Sequence, residues 1–83
     1  MRLDYFTASW CVPCRVFGPI VEQVTTDLGV QIEKISIDKT PERLPADVMG
    51  VPTIIAYDKD NQEIGRIVGQ KSESSFREWL RLL

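Results

Sequence analysis

Histidine is absent from the 83 residues, and that one gap removes whole reaction classes. Ser-His-Asp and Cys-His nucleophile systems, imidazole general bases and His-ligated metals all need a side chain this chain does not have. Long apolar runs are missing too: the longest near-continuous stretch, Val51 to Tyr57, falls far short of the roughly 20 residues a membrane-spanning helix needs. No membrane partner is therefore expected. There is no run of lysine or arginine, and 10 Lys+Arg against 12 Asp+Glu leave a net charge of -2, a poor match to nucleic acid as the main partner. No internal repeat, linker or low-complexity segment is visible. Met1-Arg2-Leu3-Asp4 sets an acid where a secretory signal would need its apolar region, so the expected location is cytoplasmic. What is present is ordinary for a folded domain: 43% apolar and 27% charged residues, in a length suited to one core spanning residues 1–83.

Arg2 to Thr7, rich in aromatic and branched residues, reads as a strand. Val16, Phe17, Ile20, Val21, Val24 and Leu28 then recur at three- and four-residue steps until Gly29, the pattern of an amphipathic helix with a glycine stop. Pro19 inside that pattern removes the bond its amide would make to the Arg15 carbonyl, so a kink is expected rather than two helices. Val30 to Ile37 reads as a second strand, apolar on both faces although Lys34 intrudes. Pro41 to Val48 is expected to form a short helix, started by Pro41 and curtailed by Pro45. Thr53 to Tyr57 and Gln62 to Val68 flank the turn residues Asp58-Lys59-Asp60-Asn61, as in an antiparallel hairpin. Ser72 caps a closing helix whose apolar stripe is Phe76, Trp79, Leu80 and Leu83. The order β-α-β-α-β-β-α predicts an α/β fold with its first two strands parallel across a right-handed crossover. Joined to the hairpin, they give a four-stranded mixed sheet of order 2-1-3-4 with helices on its faces.

The two cysteines lie in Trp10-Cys11-Val12-Pro13-Cys14-Arg15, where the first strand ends and the first helix begins. Free amides and aligned peptide dipoles at a helix N-terminus favour negative charge. A thiol of pKa ~8.5 is only about 3% thiolate at pH 7, and lowering it to ~7 makes that about half, a shift worth roughly 2 kcal/mol. The intervening pair brings the second sulfur round the first turn, close enough to close a disulfide or resolve a mixed one. Pro13 suits that turn because its missing amide has no intrahelical partner to lose. Three uses compete for such a pair. A structural disulfide across so short a loop removes little unfolded-state entropy. A zinc site needs about four ligands, so these sulfurs would form only half of an intermolecular one. Thiol–disulfide exchange needs nothing the chain lacks.

Phe6, Ala8 and the run from Trp10 to Arg15 resemble the active-site segment of the thioredoxin family, usually WCGPC followed by a basic residue. Pro19 matches the proline of that family's active-site helix, and Lys34-Ile35-Ser36-Ile37-Asp38 resembles the strand that follows. Gly50-Val51-Pro52-Thr53 matches the loop whose cis-proline faces the cysteines, and Val68-Gly69 the glycine near the site. The likeness runs from about Leu3 to the end. The family's N-terminal strand and helix have no counterpart, which implies a minimal thioredoxin fold of glutaredoxin-like length. The resemblance implies that Cys11 is the exposed nucleophile attacking a substrate disulfide and Cys14 the shielded thiol that resolves the mixed disulfide. Val51 and Pro52 would flank the sulfurs, with the Val51 backbone pairing with an extended substrate segment. Trp10, Val12, Pro13 and Gly69 would shape the apolar docking rim. The family binds no organic cofactor or metal. It implies a monomer that reduces protein disulfides, its electrons coming from NADPH through a separate flavoenzyme of the thioredoxin-reductase type.

Tyr5 is the clearest departure from the family pattern, standing where thioredoxins commonly bury an aspartate associated with proton transfer at the resolving cysteine. A phenol of pKa ~10 is a poor base at neutral pH, and strand alternation points Asp4 to the opposite face. A water on the Tyr5 hydroxyl, or Lys34 turned inward, is the expected proton-transfer or tuning group; otherwise Tyr5 fills core volume and solvent takes the proton. Two alternatives stand beside the main reading. Starting at a strand with the first cysteine at position 11 is a glutaredoxin layout, and Gly69-Gln70-Lys71-Ser72-Glu73 bears a loose likeness to that family's glutathione-binding turn. Glutathione-coupled exchange follows from that likeness, whereas Trp10, Val12-Pro13 and the Gly50–Thr53 loop side with thioredoxins. The other alternative is a non-catalytic binding subunit that docks a partner at the rim around Trp10 and Pro52.

Overall fold

The computed structural model describes residues 1–83 as β1 (Arg2–Thr7), α1 (Val12–Leu28), β2 (Gln31–Ser36), a 3-10 turn (Pro41–Arg43), β3 (Thr53–Tyr57), β4 (Glu63–Val68) and α2 (Glu73–Leu82). One four-stranded sheet runs in the order β2-β1-β3-β4, as the sequence predicts. β1 pairs parallel with β2 and antiparallel with β3, and β3 pairs antiparallel with β4. β1 is therefore internal, and its C-terminal end delivers the chain to the cysteines.

α1 begins where its sequence permits. Cys11 is the N-cap in extended geometry, proline occupies the first turn, and the helix continues unbroken through Pro19. It stops at Gly29, whose left-handed φ of 66° lets its amide return to the Thr25 and Thr26 carbonyls. Phe17, Val21 and Val24 face inward from α1 and meet Leu3 and Tyr5 of β1, Ile54 and Ala56 of β3, and Phe76 and Leu80 of α2. Phe17 is the hinge of this core: its ring lies edge-on to Tyr5 at 6.3 Å and to Phe76 at 5.4 Å. Phe76 in turn stacks on Trp79 at 6.1 Å. Burial of α2 is thus carried by Phe76 and Leu80, while Trp79 is only half-buried and Leu83 is 38% exposed, less enclosed than their helical spacing suggests. Ser72 caps α2 as expected, its hydroxyl accepting from the Ser75 amide at 3.2 Å.

Both α-helices pack on one face of the sheet. On the other, Phe6, Ile35 and Ile55 are covered by Val48 and half-buried Leu44. The helix expected over Pro41 to Val48 shrinks to the 3-10 turn. The reason is local: Leu44 precedes Pro45, whose ring disfavours helical geometry in the residue before it, and Leu44 takes φ -74°, ψ 118°. The segment still does a helix's covering work, because a turn closed from the Val48 amide to the Pro45 carbonyl sets Val48 into the core. At the far end of the sheet the β3–β4 hairpin turns on Asp58, whose carboxylate accepts from the Asp60 and Gln62 amides at 2.8 and 3.0 Å. Asn61 there adopts φ 61°, which asparagine tolerates. No helix is long and apolar enough to cross a membrane.

Candidate active site

The strand-to-helix junction builds the site. Ala8, just past β1, is buried, and its carbonyl accepts from the Cys11 amide at 3.2 Å. That turn sets Cys11 at the mouth of α1, and the Cys14 amide points at the Cys11 sulfur at 3.2 Å. Such a donor favours a thiolate at Cys11, with the aligned peptides of a 17-residue helix behind it. Cys11 and Cys14 are joined as a disulfide with Cα atoms 5.2 Å apart, an ordinary span for such a bond.

The resemblance leads one to expect an exposed Cys11 and a shielded Cys14. In this disulfide form they are equally covered, at 4% and 5% exposure. Val51 and Ile37, from distant parts of the chain, pack against the cluster of Ala8, Cys11 and Cys14. The two sulfurs differ instead in what surrounds them. Cys11 caps the helix, whereas Cys14 lines a cleft of about 460 Å³ between α1 and β2.

That cleft also holds Tyr5, Gly18, Glu22 and Lys34. Tyr5 and Lys34 are register partners on β1 and β2, so both project towards α1. Tyr5 is 3% exposed, and burial pushes its phenol above the ordinary value, keeping it neutral at physiological pH. Asp4 lies on the other face, where its carboxylate sits 3.4 Å from Arg2, and does not serve the cysteines. The sheet alternation anticipated this separation.

Opposite the disulfide, the Val51–Pro52 peptide is cis and Pro52 is buried. Its carbonyl accepts from the Gly69 amide at 2.8 Å, which ties the loop to the end of β4. Gly69 has φ 85° and nothing within 4 Å of where a Cβ would stand. Its role is therefore conformational, and close backbone approach is not what demands glycine there. The Thr53 hydroxyl closes the loop by donating to the Gly50 carbonyl at 2.7 Å. Around the sulfurs Trp10 and Val12 are each 64% exposed, and Pro13 is exposed beside them. They give an apolar surface beside the disulfide.

Three neighbours escaped the sequence reading as site residues. Ile37 seals the disulfide; its only signal was its place at the apolar end of the second strand. Met49, two residues before Val51, is 91% exposed and extends the apolar surface of that loop. Asp38 accepts from both the amide and the hydroxyl of Ser9, fastening the loop before Cys11 to the end of β2. The Ser9 hydroxyl, with further help from Ser36, holds the Asp38 carboxyl below the usual range.

Fold and site together define an α/β protein of the dithiol–disulfide type, with a helix-capping cysteine pair beside a cis-proline loop. The thioredoxin family model matches residues 2–82, and the chain belongs to the thioredoxin family. It is 34% identical over 73 residues to a thioredoxin of Mycobacterium tuberculosis (strain H37Rv), a match covering 84% of this chain and 62% of that one. The chain thus spans somewhat under two thirds of the mycobacterial relative's length. Thioredoxin from Chlamydia caviae is 39% identical over 77 residues, covering 88% of this chain and 72% of the relative. Among solved structures, thioredoxin 1 from Thermosipho africanus superposes with a TM-score of 0.84 at 28% identity, covering 99% of this chain and 92% of that one. Fasciola hepatica thioredoxin gives 0.85 at 30% identity, covering 98% and 78%.

Proposed function

We propose that the protein is a thiol–disulfide oxidoreductase that reduces protein disulfides by cycling Cys11 and Cys14 between dithiol and disulfide. The observation that carries this is the Cys11 sulfur at the helix N-terminus, with the Cys14 amide on it and the Cys14 sulfur within bonding reach. In the reduced protein the Cys11 thiolate attacks one sulfur of the substrate disulfide. That bond breaks, a Cys11–substrate disulfide forms, and the leaving thiolate takes a proton. Cys14 then gives up its proton and attacks the Cys11 sulfur, which releases the second substrate thiol and closes Cys11–Cys14. The substrate gains two electrons and two protons: the protein supplies both electrons and the Cys14 proton, and solvent supplies the other proton.

Trp10, Val12, Pro13 and Val51 form the docking rim, Gly69 holds the Pro52 loop in shape, and the Val51 backbone pairs with an extended substrate segment. Tyr5 and Lys34 lie in the cleft behind Cys14: the buried, neutral phenol fills its wall, and the Lys34 ammonium favours the Cys14 thiolate. No cofactor is bound. NADPH supplies electrons through a thioredoxin-reductase-type flavoenzyme, and the protein works as a cytoplasmic monomer without nucleic acid or membrane.

The test is NADPH consumption in the presence of that reductase and a disulfide-bonded protein. Wild type turns over, Cys11→Ser is silent, and Cys14→Ser accumulates a mixed disulfide visible by mass spectrometry. Turnover only with glutathione and its reductase would transfer the protein to the glutathione-coupled class. A partner retained by both serine variants, with no turnover by wild type, would make it a binding subunit.

A further inference from the structure

Of the chain's cations, Arg2, Arg43, Arg66, Arg77 and Arg81 each sit in an ion pair. Arg15, Lys34, Lys39, Lys59 and Lys71 do not, and the first three of these converge. With Ser9, Ser36 and Cys14 they line a concavity of about 270 Å³ at the junction of α1 and β2, and no acidic side chain lines it. Lys34 also lines the adjoining cleft behind Cys14. Of the neighbouring acids, Glu33 is paired with Arg43, while Asp38, hydrogen-bonded by Ser9 and Ser36, keeps its charge and borders the concavity without lining it. Glu22 belongs to the adjoining cleft and not to this one. In a chain of net charge -2, this concavity beside Cys14 is lined by three cations and by no acid.

Three cations against one bordering carboxylate leave the concavity net positive, and a positive concavity attracts a carboxylate. The place decides whose carboxylate it is. Ser9 and Arg15 flank the cysteines in sequence, so the concavity opens beside the exposed Trp10–Pro13 rim where a polypeptide substrate docks. A substrate chain joined to Cys11 covers one helical turn, about 5.4 Å, with one or two extended residues. We infer that this concavity is a subsite for an acidic side chain of the polypeptide substrate, and that the protein selects disulfides flanked by Asp or Glu. The inference rests on the reductase reading above and adds its substrate class.

Two synthetic peptides test it, each with one intramolecular disulfide, one flanked by Glu and the other by Gln at the same positions. The ratio of their kcat/KM values is the readout, and it does not depend on the absolute rate. Wild type prefers the Glu peptide about fivefold at ~20 mM ionic strength and less than about twofold at ~0.5 M, where the Debye length shrinks to a few ångströms. Arg15→Gln/Lys39→Gln, checked for folding by circular dichroism, brings the low-salt ratio close to one. Equal kcat/KM for the two peptides in wild type at low salt overturns the inference, as does a preference that survives in the double variant. Glutathione disulfide is the third substrate: a double variant that loses rate on it while keeping the Glu-peptide preference reassigns the cations to a small carboxylate and refutes the polypeptide subsite. If wild type reduces neither peptide, the reductase reading itself falls; reduction of both without discrimination removes only the subsite.

Discussion

Replacing Phe17 by alanine is the sharpest test of how the site is held in place. Phe17 lies on α1 three residues after Cys14, is 1% exposed, and touches Tyr5 of β1 and Phe76 of α2 edge-on. One ring thus joins the cysteine-bearing helix to the central strand and to the closing helix. Removing a buried phenylalanine ring costs about 3–5 kcal/mol. At roughly 0.05–0.15 kcal/mol per residue, a domain of this size has about 4–12 kcal/mol in all. Phe17→Ala therefore removes a large share of the stability and lowers Tm by roughly 12–40 °C, taking 4–8 °C per kcal/mol. The neighbouring Val16→Ala is the control: Val16 is 54% exposed, and its truncation changes stability by at most about 0.5 kcal/mol. The assay is urea unfolding of the oxidised proteins by far-ultraviolet circular dichroism, with Trp79 fluorescence as a local reporter through its stacking on Phe76. A loss below about 1.5 kcal/mol for Phe17→Ala, or one equal to that of Val16→Ala, would refute the view that this ring joins the three elements.

Gly69→Ala places an L-residue at φ 85° and strains the tie to the Pro52 carbonyl; a loss of about 1–2 kcal/mol in urea unfolding is expected, and an unchanged midpoint would contradict it. Trp10→Ala, at a residue 64% exposed, shifts stability by no more than about 0.5 kcal/mol but raises KM for a protein disulfide severalfold, as steady-state kinetics would show. Stability falls in acid. Asp27, Glu33, Asp38 and Glu63 all have depressed carboxyl pKa values, through hydrogen bonds from Arg77, Arg43, Ser9 and Arg66 respectively. Their contribution is present above the unfolded-state values near ~4 and is lost as pH drops through the folded ones, so a urea midpoint higher at pH ~3 than at ~6 would contradict the assignment. At the alkaline end Tyr5 and Tyr57 have phenol pKa values raised chiefly by burial, so their contribution is present below ~10 and lost as pH climbs through the folded values. Midpoints measured from pH ~9 to ~11 should therefore decline.

The parts of the fold legible from sequence are those governed by local pattern. α1 announced itself through the step from Phe17 to Val21 to Val24 and the stop at Gly29, and β1 and β3 through short runs of branched and aromatic residues. Their order then left few topologies, and the strand sequence 2-1-3-4 followed. The segment from Pro41 to Val48 was harder because two demands compete there. Its apolar spacing suits a helix, yet the restriction Pro45 places on Leu44 is stronger. At the site, the position of the cysteine pair on a helix cap was legible, since it depends on neighbours in sequence. The coverage of the sulfurs was not, because Ile37 and Val51 reach them only after the sheet closes. The convergence of Lys34 and Lys39 on Arg15 is likewise invisible in the linear chain, where more than eighteen positions separate the helix residue from the nearer lysine.

The register of the sheet also has a practical side. Phe6 pairs with Thr53 at the end that carries the cysteines, while Arg2 pairs with Tyr57 beside the Asp58–Asn61 turn. About four residues of strand, some 13 Å, separate the two ends. The turn holds itself together through Asp58 and contributes nothing to the dithiol. A peptide tag spliced between Lys59 and Asp60 would anchor the molecule to a bead or electrode by its chemically silent end. A layer so attached would present the sulfurs, the rim and the basic concavity outward, every copy in the same orientation.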